Sequence, residues 1–574
     1  MEADRRPRQL ASFVAILLLR AFGTAAAQTP ADVALLHGRI HTQDGHRSIV
    51  AAMALRGNTI VAAGSDQLIG TLIGPHTRSV DLRGRVVLPG IIDAHTHPAS
   101  SAQDLGKCDL HDRMLAAAQI KEQVGVCLRE NAGDPARWFE VTQVNPTGVT
   151  LTRADLDSIL SDRPMVLSAS DGHTVWANSA ALTAAQVTAA TRDPPGGRIE
   201  RGHEGRPTGT LRDSAMDLVL DALPPASPDY EARQLETALA AMRATGITSV
   251  QDASVDDHLM QIYKRLYDAH RLNMRVRGCF HLADLTQPAA RLIGEAIRFR
   301  RKWAIDPDFL RADAVKIFAD GVIEYPSQTA ALLDPYLDAS GHATGNRGPS
   351  YFRQKDLDAI VSAADAAGLS VHVHAIGDRA VRGALDAFAA SRRANGPLDN
   401  RDQIAHLELV SPDDFPRFRE LGVIANFQLL WAERDDYIVN GTLKYLGPGR
   451  SRYLYPARSL RDAGALIAGG SDWNVSSFDA FEAMERAITR AEARGKQPLL
   501  PEQSIGIQDI VDAYTINAAF ALRQERTTGS LESGKRADFI VLDRDIFAID
   551  PRDLHETRVL STYLDGREVY GSIR

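Results

Sequence analysis

Eight short apolar runs through the middle of the chain constrain its fold more than any other feature. They are RVVLPGIIDAHTH, GITSVQDAS, MRVRGCFHL, AVKIFADG, SVHVHAIGD, QIAHLEL, GVIANFQLL and LIAGGSDWN. Stretches of helical composition, such as 232–245, 357–367 and 478–494, lie between or after them. Parallel strands need a long crossover to reach one another, and a helix supplies it. Eight such repeats predict a (β/α)8 barrel of the α/β class rather than an open sheet. One gap breaks the rhythm. The long segment between the first two runs holds the turn-rich TRDPPGGRIERGHEGRPTGTLRD and reads as an insertion over about 105–230.

The two ends look alike. Residues 28–87 and 524–574 both read as short strands broken by Gly or Asp turns, as in SIVAAMALRGNTIVAAG and STYLDGREVYGS. Together they predict one β-sandwich built from both termini, flanking a barrel over 88–523. Before them, residues 1–27 carry Arg5, Arg6 and Arg8, then LASFVAILLL, then Ala25-Ala26-Ala27. That order is the pattern of a secretory signal peptide cleaved near Ala27. Its apolar run is shorter than the roughly 20 residues a bilayer span needs. The expectation is an exported, periplasmic protein without a stable membrane partner. Export permits disulfides, and Cys108 and Cys127 are close enough in sequence to close a short loop. The third cysteine, Cys279, sits in an apolar run and reads as a buried thiol. A net charge of −8 and the absence of a long basic block outside the leader argue against nucleic acid as a partner.

Alternation along the strands sorts their polar residues. Asp93, His95 and His97 share one face of the first run, opposite Ile92 and Ala94. Lys316, Phe318 and Asp320 oppose Val315, Ile317 and Ala319, and His372 and His374 oppose Val371 and Val373. His406 lies on a face with Ile404 and Glu408. Helices must cover the outer, apolar face, so the polar face points inward. A buried lysine and buried histidines are costly unless something pairs with them. They also fall at the C-terminal ends of their strands, where barrel enzymes carry their sites. Alone, Lys316 would be read as a salt bridge with Asp320, and Asp472 as a turn residue. With His95 and His97 at i and i+2, the set reads as a metal centre.

The motifs PGIIDAHTHP, AVKIFADG, HVHAIGDRAV, IAHLELV and GGSDWNV, in this order, resemble the amidohydrolase superfamily, specifically its YtcJ-like branch, the amidohydrolase 3 group. DGHTVWANSAAL, DPPGGRIE and GSLESGKRADFIVLD fit the same branch. The resemblance runs from about Val33 to the end. It implies a TIM-like barrel beside a composite β-sandwich, with a centre that usually holds zinc and often two ions. By this resemblance His95, His97, Lys316, His374, His406 and Asp472 are the metal ligands. Lys316 is then carboxylated and bridges both ions, and Asp472 also moves protons as the catalytic residue. His372 matches no ligand position and reads as a supporting or core residue.

The chemistry implied is hydrolysis of an amide-type, non-peptide carbon–nitrogen bond in a small molecule. A cyclic amide, imide or carbamate, or a ring amine, would need the same centre. A non-catalytic relative would have lost a ligand, and none is missing. Within the insertion, DGHTVWANS offers His173 as a second catalytic group, with Asp171, Trp176 and Asn178 as substrate contacts. Trp473 is expected to wall the pocket, and Arg379 to brace its loop through an ion pair with Asp378. A homodimer is a further expectation.

Overall fold

Val86–Pro89 and Ile91–Thr96 are one run in the sequence and two strands in the computed structural model, divided at Gly90. The structure describes residues 29–130, 138–146, 149–170, 172, 174–194, 197–325, 327–435, 437–491 and 497–573. The leader lies outside them. At Gly90 a Cβ atom would sit 2.2 Å from Thr248 Oγ1, so the chain can pass here only without a side chain. On one side of that glycine the strand belongs to a terminal sheet. On the other it begins the barrel.

The barrel strands are β1 (Ile91–Thr96), β2 (Ile247–Val255), β3 (Arg275–His281), β4 (Leu310–Phe318), β5 (Ser370–Ala375), β6 (Gln403–His406), β7 (Ile424–Phe427) and β8 (Ile467–Gly469). Neighbours pair in parallel in sequence order, giving one eight-stranded sheet. The seam between β8 and β1 carries no regular ladder. It is fastened just beyond β8, where the Asp472 amide donates to His95 O (2.7 Å) and the Ser471 amide to Asp93 Oδ1 (3.0 Å). Helices such as Pro228–Ala244, Asp257–Asp268, Gln354–Ala366 and Asp378–Asn395 cover the outside. Val315, Ile317, Val371 and Val373 are buried in that layer, as alternation requires.

Inside the barrel the floor is polar and hydrogen-bonded. Arg277 of β3 is fully buried and bonds Asp313 (2.5 Å), Ser370 Oγ (2.6 Å) and the Ala521 carbonyl (2.8 Å). Above it Gln251, Gln403 and Asn426 interlock, and Asn426 and Gln251 both donate to the Ala94 carbonyl at 2.9 Å. Buried amides of this kind are tolerated because their partners are in place.

The terminal strands form two sheets around a shared core of Leu35, Met53, Leu55, Val87, Phe539 and Tyr563. One has four strands from residues 33–81. The other orders Arg567–Gly571, Val559–Leu564, Phe539–Leu542, Val86–Pro89, Arg39–His41 and Ile49–Val50, so both ends of the chain contribute. The insertion carries a six-stranded sheet from Cys108 to Asp213, with its own apolar clusters on the two faces. Cys108 and Cys127 are joined there by a disulfide, while Cys279 is a buried free thiol. Among the described residues no helix is long and apolar enough to cross a membrane.

Candidate metal centre

Five of the six residues read as ligands meet around Asp472. His97 Nε2 lies 3.0 Å from Asp472 Oδ1, and His95 Nε2 lies 3.4 Å from the same oxygen. His406 Nδ1 is 4.0 Å from Asp472 Oδ2, and Lys316 Nζ is 3.4 Å from His95 Nε2. His95, His406 and Lys316 are essentially closed to solvent, whereas the His97 side chain keeps 20% exposure. One donor atom from each of His95, His406 and Asp472 falls within 4.8 Å of the others, a spacing that can hold a metal ion. His374 stands at the edge of the group, its ring centroid 4.4 Å from that of His406. Its Nε2 lies 3.1 Å from the Gly321 carbonyl. A carbonyl only accepts, so Nε2 carries the proton and Nδ1 keeps the lone pair that a metal needs.

The strand register explains the convergence. Lys316 pairs with His372 and Phe318 with His374 across β4 and β5, and Ala375 pairs with His406 across β5 and β6. Residues at the rim adopt the left-handed backbone region that non-glycine residues seldom enter, among them His406 at φ 76°, Leu407 at φ 53° and Asp472 at φ 54°. Strain of this sort persists where surrounding structure over-determines it, commonly at functional sites. The His406 amide is fixed by Gln428 Oε1 (3.1 Å), and the Asp472 amide is held at the β8–β1 seam.

Electrostatics favour metal-ready protonation states. Burial, then the nearby Lys316, pushes His95 down to about 3 and His374 down to about 4, so both imidazoles are neutral. Burial also holds His406 well below the ordinary range. Burial works against the Asp472 carboxylate, yet His95 and His97 outweigh it and keep it ionised. Burial lowers Lys316 to about 8. That leaves an accessible fraction of neutral amine near neutral pH, the form that reacts with carbon dioxide. Both ring nitrogens of His406 are buried without a hydrogen-bond partner. A buried imidazole with two orphaned nitrogens is costly, and a cation bound to one of them would offset that cost. The donor set therefore fits a divalent metal.

Other residues land elsewhere. His372 is fully buried, 2.8 Å from His95 Nδ1 through its Nε2, and its Nδ1 meets Gln251 at 3.1 Å. It supports a ligand rather than serving as one. Lys316 does not pair with Asp320. That carboxylate instead accepts the amides of Ala331, Ile376 and Gly377. Trp176 is 2% exposed in the insertion core, so it does not face a substrate. Asn178 is fully buried and caps the helix Ser179–Ala184, accepting from Ala181 N (2.8 Å) and Met165 N (3.0 Å). Its amide donates to Leu160 O and Arg163 O, which leaves it nothing for a ligand. Asp171 and His173 lie outside the described residues. Trp473 is half-buried with its ring edge-on to Phe478, and its carbonyl accepts the His97 amide at 3.0 Å. Arg379 braces its loop through the carbonyls of Arg347 and Gly348, not through Asp378, which accepts from Leu333 N.

Two contributors escaped sequence reasoning. Trp431 stacks on the His406 ring at 5.6 Å between centroids, and nothing in its short turn distinguishes it. Asp252 accepts from the Tyr263 hydroxyl (2.8 Å) and from Ala99 N (3.2 Å), anchoring the turn that follows His97. Its place at the C-terminal end of a barrel strand was the available signal.

Comparison with known proteins gives these observations a family. The amidohydrolase family model matches residues 78–570. The chain is 28% identical to the N-substituted formamide deformylase of Arthrobacter pascens, covering 93% of this chain and 97% of that one. It is 29% identical to the putative amidohydrolase YtcJ of Bacillus subtilis, over 94% and 99% of the two chains. Among solved structures, an uncharacterized metal-dependent hydrolase from Pyrococcus horikoshii superposes with a TM-score of 0.73 at 22% identity, covering 90% of this chain and 99% of that one. The chain thus belongs to the amidohydrolase family, in its YtcJ-like branch, and is a hydrolase acting on carbon–nitrogen bonds.

Proposed function

We propose that this chain is an exported zinc enzyme that hydrolyses the carbon–nitrogen bond of a small, linear N-substituted amide. The observation that carries the reading is the meeting of Asp472 with His95, His97 and His406 beside a buried lysine at the barrel rim. The relative named as an N-substituted formamide deformylase supports a linear amide. The Cys108–Cys127 disulfide supports an oxidising compartment, as the leader does.

His95, His97, His374, His406 and Asp472 would hold zinc, and Lys316, as a carbamate, would be a further ligand. When bound, zinc supplies Lewis acidity that polarises a carbonyl and makes water nucleophilic near neutral pH. The protein supplies the rest. Asp472, kept ionised by its histidines, accepts the proton of the attacking water and delivers it to the leaving nitrogen. The His372–Gln251 pair holds the His95 ring in place, and Trp431 packs one face of His406. A panel of formamides, N-acyl amines, lactams, imides and carbamates tests the reading. Linear N-substituted amides are expected to be cleaved with the highest kcat/KM. Preferential turnover of lactams or imides would replace the reading with a cyclic-amide hydrolase. No turnover of any member by zinc-loaded protein would overturn it.

A further inference from the structure

His281 closes β3 at the catalytic rim, and the centre described above does not use it. Its register fixes where it points. Phe280 pairs with Val315 and His281 with Lys316 across β3 and β4. Phe280 faces the helix layer with Val315 and stacks on Phe299 of the helix Ala289–Lys302, 4.4 Å between centroids. His281, one residue on, therefore faces the barrel interior with Lys316. The Leu282 amide donates to the Lys316 carbonyl at 3.0 Å and holds the strand end there. The His281 ring is half-buried and meets Phe318 edge-on at 5.2 Å. Phe318 in turn lies 4.7 Å from Lys316 Nζ and 5.1 Å from the His374 ring. One aromatic ring thus separates His281 from two residues of the centre.

Among the described residues no hydrogen bond or ion pair occupies either nitrogen of that ring. His372, also beside the centre, instead spends its nitrogens on His95 and Gln251. An imidazole carries at least one N–H whether neutral or charged, so His281 has a donor to offer in either state. Strand order decides which substrate atom it meets. Asp472 follows β8 and His281 ends β3, with β1 and β2 between them across the seam. The leaving nitrogen must lie toward Asp472, which delivers its proton. The carbonyl oxygen, on the same carbon, is then turned away from Asp472, toward the arc of β3, β4 and β5. As water adds to that carbon the oxygen gains charge, and a donor already placed to meet it lowers the barrier.

We propose that His281 is a further catalytic residue, whose ring N–H donates to the scissile carbonyl oxygen and holds it most tightly once it is an oxyanion. This rests on the rim being the substrate site of the hydrolase described above. The test uses the zinc-loaded full chain with N-pentylformamide as substrate. N-pentyl methylphosphonamidate, whose tetrahedral anionic phosphorus stands in for the hydrated amide carbon, is the binding probe, read by calorimetry. His281→Phe keeps a ring against Phe318 and removes both nitrogens. It is expected to lower kcat by about 10²–10³, with KM within about threefold of wild type and zinc content unchanged. Phosphonamidate binding is expected to weaken at least about tenfold. His281→Gln restores a donor and is expected to recover at least about tenfold of the lost kcat. His281→Ala carries the same expectations as His281→Phe and replaces it if that variant does not fold. Unchanged kcat and phosphonamidate affinity in the donor-less variants would overturn the role, as would a loss confined to KM or accompanied by loss of zinc. No recovery in His281→Gln, or no phosphonamidate binding by wild type, would overturn it too. Turnover by wild type with unaffected variants sinks His281 alone and leaves the hydrolase. Phosphonamidate binding that depends on His281, without turnover of any amide, keeps the assignment and sinks the hydrolase reading.

Discussion

Asp472 and Asn178 are both buried polar side chains at motif positions, yet they do different work. Asp472 sets its carboxylate against His95 and His97 and stands beside His406, and among the described residues no backbone amide bonds to that carboxylate. Asn178 spends every donor and acceptor on its own fold. Substitutions should separate the two roles. Asp472→Asn is expected to lower kcat by roughly 10²–10⁴, the usual worth of a positioned general acid–base, while the melting temperature changes little. Asn178→Ala is expected to cost about 1–3 kcal/mol of stability by orphaning buried amides and carbonyls, with kcat/KM nearly unchanged. Thermal unfolding and steady-state kinetics on both variants check the pair. At this scale the strand alternation was legible in the sequence, because a buried face shows its period. His95, Lys316, His374 and His406 all follow from it. The roles of Trp176 and Asn178 were not legible. An aromatic and an amide within a motif read the same whether they face a ligand or a core, and only the tertiary surroundings decide.

Strands and loops position those side chains through close backbone contacts. Gly470 lies where β8 meets β1, and a Cβ there would approach His95 N at 2.7 Å and His95 Cβ at 2.6 Å. Backbone cannot yield as a flexible side chain can. Gly470→Ala is therefore expected to displace His95 and weaken metal binding by at least about tenfold, the low end of what disturbed ligand support costs. Metal titration of the folded variant measures it, and an unchanged affinity would show that the seam does not set the ligand. A second element-scale consequence lies far from the centre. His41, on the strand Arg39–His41, stacks on Phe547 at 4.0 Å, and burial lowers it to about 4 from the ordinary 6.5. Between those values the unfolded chain takes up a proton that the folded chain refuses. Stability is fully present above pH 6.5 and falls as pH drops toward 4. His41→Phe should flatten that slope in denaturant titrations at several pH values. The eight runs were readable because each barrel strand is short and apolar on one face. The break at Gly90 was not, since a strand leaving one sheet for another keeps the same sequence pattern.

The whole molecule joins a barrel, a two-sheet unit built from both ends and an inserted sheet. The barrel rim gathers groups from strands far apart in sequence, and that gathering is what makes a metal centre from residues individually unremarkable. The seam at β8–β1, the polar floor and the neutral, buried imidazoles all serve the same end. The central claim is that this rim binds metal through the residues named. Elemental analysis of full-length protein, purified with zinc and bicarbonate, tests it most directly when His406→Ala and Lys316→Ala are measured alongside. About two zinc ions per chain are predicted for the wild type, with a clear loss in both variants and hydrolysis falling in step. Metal-free wild type, or variants that keep full metal and full activity, would contradict it.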